Sequence, residues 1–234
     1  QFMRTVSGVG GSLLRARPAQ VYKIKIPLPS LAEQKRIAKI LDAADALRAR
    51  RRESFAQLDA LLKSTFLEMF GDPVENPNGL KVVSLSEVTT RVTDGTHQSP
   101  HWSNFGIPFL FVSNVRNRRI SFETSKFINE AEYERLTSRC PIEAGDVLYT
   151  TVGSYGNAAL VPKGKKFAFQ RHIAHIKPNH DLVDGRFLEV MLESAGVRRQ
   201  ADQLARGVAQ KTLNLRELKS FRVFAPPKPA QIRF

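Results

Sequence analysis

Cysteine is almost missing from this chain: Cys140 is the single one among 234 residues. No internal disulfide can form, and neither a secreted disulfide scaffold nor a cysteine-based zinc site fits. Acids are scarce against bases, with 22 Asp+Glu facing 36 Lys+Arg, so the formal charge is 36 − 22 = +14. That excludes an acidic, solvating protein. Long apolar runs are missing too: none approaches the roughly 18 to 20 residues that cross a bilayer, and no signal-peptide core is visible. A cytoplasmic protein with no membrane partner is expected. A hydrophobic fraction of 42% with 25% charged residues is ordinary globular composition, which implies one or two packed domains.

The excess of positive charge is spread along the chain. Residues 1–30 carry five Lys+Arg and no acid, residues 31–70 carry eight against six, and residues 71–234 carry 23 against 16, giving +5, +2 and +7. A broad field over folded segments suits a polyanion better than a basic tail does, and nucleic acid is the leading partner.

A long helix begins after Pro27-Leu28-Pro29, where Ser30 and Glu33 have the S-x-x-E spacing of a capping box. It stops where Gly71 follows Phe70 and Pro73 comes two residues later. The forty residues between contain no glycine or proline, a rod of about 60 Å at 1.5 Å per residue. Its apolar positions, Ile37, Leu41, Ala44, Phe55, Leu58, Leu62, Thr65 and Met69, advance in steps of three and four within each half. That is the rhythm of a coiled-coil seam. The stripe is interrupted by Arg48 and Arg50 to Arg52, and a seam this long needs another helix to cover it, either in the same full-length protein or in a second chain. Homodimerisation through the rod is therefore expected.

After Gly71 the texture changes to short β-rich runs over residues 80–125 and 142–177, separated by Gly, Pro, Asn and Asp turn signals. Helical patterns interrupt them at 129–138 and 184–204. The expected fold class is α+β: a mixed α/β globule of roughly 150 residues attached to a long coiled-coil-forming helix. The boundaries read as 1–30 for a lead-in, 31–70 for the rod, 71–225 for the globule and 226–234 for a closing segment.

The two flanking segments resemble one another. Gly8-Val9, then Lys23 to Pro29, then Gln34 to Ile37 match Gly207-Val208, Phe221 to Pro227 and Gln231 to Phe234. The offset is 199 residues at the glycines and 197 at the glutamines. Residues 1–30 thus read as the tail of a preceding unit, and 226–234 as the start of a second rod.

Pro27-Leu28-Pro29-Ser30-Leu31-Ala32-Glu33-Gln34-Lys35-Arg36-Ile37, with a long helix ending Met69-Phe70-Gly71-Asp72-Pro73, resembles the conserved spacer of type I restriction-modification specificity (S) subunits. Asp94 to Pro100, Gly106 to Phe109, and Gly145 to Leu148 running on to Gly156 are similar to that family's target-recognition domains. The resemblance implies a non-catalytic subunit that reads one half of a bipartite double-stranded DNA target. It implies methyltransferase (M) subunits docked on the helical spacer, S-adenosylmethionine held in those partners rather than in this chain, and restriction (R) subunits able to join. With one full unit in this sequence, a pair of chains would read a symmetric split site, unless the sequence is part of a longer parent.

The residues themselves leave two other readings, a DNA-modifying enzyme with an unrecognised active site and a coiled-coil scaffold that ignores DNA. Against an enzyme, Ala225-Pro226-Pro227-Lys228 lacks the polar first and aromatic last residues of an adenine methyltransferase motif. Gly164-Lys165 lacks the earlier glycine and the hydroxyl of a phosphate loop. Acids do not cluster as nuclease metal sites require. His97 and His101 bracket Pro100, and the odd spacing of His172 and His175 in a β-like run puts them on opposite faces, so no metal site is expected.

Reading bases needs side chains with fixed donor and acceptor geometry. Three loops offer them. The first holds Thr93, Thr96, His97 and Gln98; the second Asn114, Arg116, Asn117, Arg118 and Arg119; the third Ser154, Tyr155 and Asn157, where Tyr155 could stack or donate. Arg171, Gln210 and Lys211 are secondary DNA candidates, with Gln170 beside them.

Overall fold

The structure, a computed structural model, describes Phe2, Val6, Ser7 and residues 15–234. The chain divides into two compact units, Gln1–Gln57 and Leu58–Phe234. The first holds a two-stranded ribbon of β1 (Val6–Ser7) and β2 (Arg15–Ala16), the short helix α1 (Pro18–Val21), and the first turns of α2 (Leu31–Phe70).

The ends of α2 follow from its caps. Ser30 Oγ accepts from the Glu33 N–H at 3.4 Å, while Pro29 O accepts from Gln34 Nε2 at 2.8 Å. The reciprocal half of the expected capping box is replaced: the Glu33 carboxylate takes the Arg36 guanidinium at 2.7 and 2.8 Å. At the other end Gly71 adopts φ +79°, the left-handed conformation that stops a helix at little steric cost to glycine.

The coiled-coil role expected for both halves of the interrupted α2 stripe is corrected for its last turns. Leu62 and Met69 are half-buried and pack against the core of the second unit, to which Phe66 and Phe70 belong. Ile37, Leu41, Ala44, Phe55 and Leu58 are exposed, and the Arg51 guanidinium lies over the Phe55 ring at 5.6 Å. The same three-four rhythm serves a globular core over the last turns and is left open before them. Spacing along one helix is indifferent to which surface covers it.

The second unit contains mixed helix and sheet. In chain order come β3 (Val82–Ser84), β4 (Thr89–Asp94), β5 (Trp102–Ser103), β6 (Ile107–Leu110), β7 (Val115–Arg116), β8 (Arg119–Ile120) and β9 (Phe127–Ile128). After α3 (Glu130–Thr137) follow β10 (Val147–Thr150), β11 (Ala158–Leu160), β12 (Ala168–Phe169) and β13 (Ile173–Pro178). The chain closes with α4 (Gly185–Leu192), α5 (Ala195–Leu204), α6 (Leu215–Lys219), β14 (Arg222–Phe224) and α7 (Lys228–Arg233). The helical pattern read over 184–204 is thus two helices, parted where Ser194 caps the second by accepting from Val197 N–H.

One antiparallel sheet has the order β11-β10-β13-β4; a second, β12-β6-β9-β5, is antiparallel except for the β12–β6 pair. Val147, Tyr149, Ala174 and Ile176 of the first sheet meet Phe187, Leu188 and Met191 of α4 in the main core. β11 is an edge strand, and its free N–H groups are satisfied from α4 and the residue after it. Ala158 N–H donates to Glu193 at 3.1 Å and Leu160 N–H to Glu189 at 3.0 Å, so two carboxylates stand where a neighbouring strand would.

The repeat persists in three dimensions. Ser7 pairs with Arg15 across β1 and β2, and Arg206 bridges Thr212 in the same antiparallel sense. α1 corresponds to α6 at an offset of about 198 residues. Gln231 Nε2 donates to Pro226 O at 2.7 Å, the counterpart of the Gln34–Pro29 bond. Gly8 and Val9 lie outside the described residues.

Candidate nucleic-acid interface

The first candidate loop is tied to the turn between β12 and β13. Thr96 N–H donates to Phe169 O at 3.1 Å, Arg171 N–H to Thr96 O at 3.1 Å, and Gly95 N–H to Ile173 O at 3.3 Å. A Cβ on Gly95 would collide with the Phe169 carbonyl, so this close approach requires glycine. Thr96 Oγ1 and Gln98 exchange bonds of 3.0 and 3.2 Å, fixing the turn. His97 Nε2 sits 2.8 Å from Asp94 Oδ2. His97 and Gln98 are exposed, and Thr93 and Thr96 are half-buried.

The second loop is a hairpin of β7 and β8, joined by Asn117 and Arg118 at φ +52° and +53°. A two-residue connection left-handed at both positions matches the right-handed twist of paired strands. Two of its candidates face inward and are corrected. Asn114 is 8% exposed. Its Oδ1 accepts from Phe111 N–H at 2.9 Å, and its Nδ2 donates to Ser121 O and Glu123 O, both at 3.0 Å. An amide committed to three backbone groups holds the base of the hairpin and has nothing left for DNA. Arg118 turns toward α2, where its Nη2 lies 2.5 Å from Asp59 Oδ1 with its side chain 17% exposed. Arg116, Asn117 and Arg119 are exposed.

The third loop is built around Thr150. Its hydroxyl donates to Ser154 O at 2.7 Å and accepts from Asn157 N–H at 2.9 Å. Asn157 Nδ2 donates to Ser154 O at 2.7 Å, so that amide nitrogen is engaged in the loop. Tyr155 is corrected as a stacking residue. It is 6% exposed, its hydroxyl donates to Asp202 at 2.7 Å, and the Arg198 guanidinium covers its ring at 4.9 Å. Ser154 is exposed, as are Gln210 and Lys211, whose segment is pinned to this loop by the Gly153 N–H to Lys211 O bond of 3.0 Å.

The three loops converge. Ser113, Arg116, Ser154, Asn157 and Gln210 line a depression of about 380 Å³ whose remaining wall includes Gln170 and His172. A neighbouring one of about 300 Å³ shares Gln170 and His172 and adds Thr96, His97, Gln98, Trp102 and Arg171. Hydroxyls, amides, imidazoles and guanidiniums thus form one polar floor, the donor and acceptor mixture that base edges and phosphates require. Gln170, a secondary candidate from the sequence, is brought there by its bridge to Thr96, and His172, which the sequence did not mark as a DNA candidate, by the turn that leads into β13. Burial lowers the His172 pKa, with Arg171 and His97 adding to the effect, so its imidazole is neutral at physiological pH. Arg171 Nε donates to His172 Nε2 at 3.3 Å.

One group beneath this floor has the outline of a nucleophilic triad. Cys140 Sγ is 3.4 Å from His175 Nδ1, and His175 Nε2 is 2.6 Å from Asp146 Oδ2. Burial pushes the Cys140 thiol up against the pull of Arg91 and Lys177, the opposite of what activates a cysteine. Asp146 also accepts from Lys177 at 2.9 Å and from Glu143 N–H at 2.8 Å. His175 and Asp146 are buried, so the group is a largely buried polar network tying β13 to the segment that leads into β10. The expectation that both histidines sit in one strand on opposite faces is corrected: His175 is buried within β13, while His172 is half-buried in the turn before it. Among the described residues no His, Cys, Asp and Glu cluster could hold a metal ion, and no helix is long and apolar enough to cross a membrane.

The family model for the type I restriction modification DNA specificity domain matches residues 5–54 and 77–233. The chain is 24% identical over 241 residues to the type I restriction enzyme EcoKI specificity subunit of Escherichia coli K12, covering 95% of this chain and 51% of that protein. It is 29% identical over 137 residues to the MjaVIII specificity subunit of Methanocaldococcus jannaschii, covering 53% and 32%. The chain thus spans about half the length of EcoKI's subunit, or less of these relatives. Its fold is similar to the HsdS subunit from Thermoanaerobacter tengcongensis, with TM-score 0.53 and 21% identity, covering 99% of this chain and 57% of that one. A chain from a study of complex assembly and conformational transition of the type I R-M system gives TM-score 0.56 at 21% identity, covering 97% and 56%. With that family model matched across both units, this chain belongs to the type I restriction-modification DNA specificity domain family.

Proposed function

We propose that this chain is a non-catalytic DNA-recognition subunit that reads one half of a bipartite target. The observation that carries the reading is the convergence of three polar loops on one floor, centred on Gln170 and His172, in a chain of charge +14. Arg116, Asn117, Arg119, His97, Gln98, Ser154, Gln210 and Lys211 are the side chains offered to DNA. Thr93, Thr96, Asn157 and Arg171 shape the floor around them.

In this reading residues 1–30 repeat the closing segment of a recognition unit, 31–70 form the spacer, 71–225 the recognition domain and 226–234 the first turns of a second spacer. The exposed stripe of Ile37, Leu41, Ala44 and Phe55 pairs with the same stripe of a second copy. Two recognition domains are thereby brought onto one DNA. Methyltransferase subunits dock on the spacer and hold S-adenosylmethionine, and restriction subunits join the same assembly.

Co-expression with candidate methyltransferase subunits, followed by mapping of methylated adenines, tests this. Methylation at one symmetric split sequence is the expected result. Stable complexes that methylate without sequence preference, or turnover by the isolated chain, overturn it.

A further inference from the structure

Arg118 stands where a two-residue hairpin connection usually has glycine or asparagine. A left-handed conformation strains an ordinary side chain where glycine is unstrained. Its side chain is drawn away from the solvent that surrounds Arg116 and Asn117, and closes on Asp59 of α2 at 2.5 Å. Asp59 is gripped from its own helix by Lys63 at 2.8 Å. Arg118 Nη1 is buried without a hydrogen-bond partner. Its charge nevertheless acts on Glu189 and Glu193, the two carboxylates that cap β11. The hairpin is therefore held twice, at its base by Asn114 and at its tip by Arg118, and only the arm between them presents Arg116 to the polar floor.

We propose that the Arg118–Asp59 pair is a positioning clamp for DNA reading. It registers the hairpin against helix α2 so that Arg116 holds one direction toward the bases, and Arg118 itself does not touch DNA. This rests on the recognition reading above and assigns it a device: the spacer helix sets the aim of a reading arm through one ion pair. A rigidly held guanidinium discriminates because a base edge rewards only one geometry, whereas a loosely held one still attracts any phosphate. Loss of the clamp should thus erode sequence preference while sparing general affinity.

The test uses the complex with methyltransferase subunits and a pool of duplex DNA with randomised positions as probe. Asp59→Asn, Arg118→Gln, their double variant, Asp59→Glu and Arg116→Ala are compared, with thermal melting to show that each is folded. Asp59→Asn and Arg118→Gln should each reduce preference by about tenfold at the base pair read by Arg116, with the slope of affinity against salt unchanged. The double variant should be no worse than either single one, and Asp59→Glu should restore preference. The clamp is overturned if the profile of Asp59→Asn matches that of the parent, if the effects of the two substitutions multiply, or if Arg118→Gln lowers the salt slope by about one, which marks a phosphate contact. Arg116→Ala separates the two levels. If it also leaves the profile unchanged, the hairpin does not read DNA and the clamp fails, whereas the recognition reading fails only if the parent complex itself selects no sequence. If it changes the profile while Asp59→Asn does not, only the clamp fails.

Discussion

Gln231 makes, 197 residues further along the chain, the bond that Gln34 makes: each side-chain amide nitrogen donates to the carbonyl five residues before it, Pro29 at 2.8 Å and Pro226 at 2.7 Å. The shared bond explains why a glutamine stands at the fourth or fifth position after a proline pair in both copies. It ties the proline segment to the first turn of the helix that follows.

The two copies differ in burial, so they should differ in consequence. Gln231 is 3% exposed, donates also to Leu182 O at 2.9 Å and accepts from Asp184 N–H at 2.8 Å. Gln231→Ala should cost about 2 to 4 kcal/mol by leaving buried backbone groups unpaired. Gln34→Ala, at an unburied position, should stay within about 0.5 kcal/mol. Urea denaturation of both variants measures the contrast, and equal effects would show that the copies share a sequence but not a role.

Stability should fall as pH rises from about 5 to 7, and Glu189 is the reason. Burial pushes its carboxyl up to about 7 from the ordinary 4.5, against the pull of the Leu160 N–H and Arg118. Between those values the unfolded chain has lost a proton that the folded chain keeps, so the folded state is favoured on the acid side and loses that advantage toward pH 7. Glu189→Gln keeps an oxygen for Leu160 N–H and has no proton to lose. It should flatten the dependence by up to about 3 kcal/mol, read as melting temperature at pH 5 and pH 8. A parallel drop in parent and variant would assign the effect to other groups.

Glu132 works in the opposite direction. The Arg135 guanidinium, bonded at 2.7 and 2.8 Å, holds its carboxyl down to about 2 against the opposing effect of burial, with His101 assisting. Its contribution is present above pH 4.5 and lost as pH falls toward 2. Glu132→Gln should therefore weaken the protein at pH 6 and narrow the gap to the parent at pH 3. A gap that widens on acidification would contradict this.

The two halves of α2 should respond differently to substitution. Phe66→Ala removes a ring 1% exposed from a cluster with Phe70, Phe187 and Phe234, and should cost about 3 to 5 kcal/mol. Leu41→Asp, in the exposed stripe, should leave the melting temperature of the second unit within about 2 °C and abolish self-association in sedimentation. Self-association that survives Leu41→Asp would move the copy-to-copy contact elsewhere.

Among the loop residues, Asn114→Ala should destabilise by about 2 to 4 kcal/mol because three backbone groups lose their partner. Arg116→Ala should leave stability unchanged and relax one base position by about 1 to 3 kcal/mol. Chemical denaturation and the selected-sequence profile, measured on the same samples, separate the two roles. A change in base preference without a change in stability for Asn114→Ala would place that amide at the DNA after all.

Local chemistry made much of this protein readable in advance. Ser30, Gly71 and the absence of proline and glycine between them set the ends of α2, because caps and breakers act on the backbone within a few residues. The repeat was legible for the same reason: its prolines and glutamines do the same local work in each copy. The turn-rich segments and their polar side chains marked the three loops, and the surplus of lysine and arginine indicated a polyanionic partner.

Tertiary structure decided which side of each element faces inward, since that depends on what lies opposite. Asn114, Arg118 and Tyr155 have the composition of base readers, but backbone carbonyls, Asp59 and the Arg198–Asp202 pair claim them first. The sequence marks Gln170 only as a secondary candidate and His172 not as a DNA contact at all, and they reach the floor because Thr96 bridges Gln170 and a turn places His172 beside it. The stripe along α2 likewise has one rhythm and two fates, because periodicity orients a helical face and only packing supplies its cover.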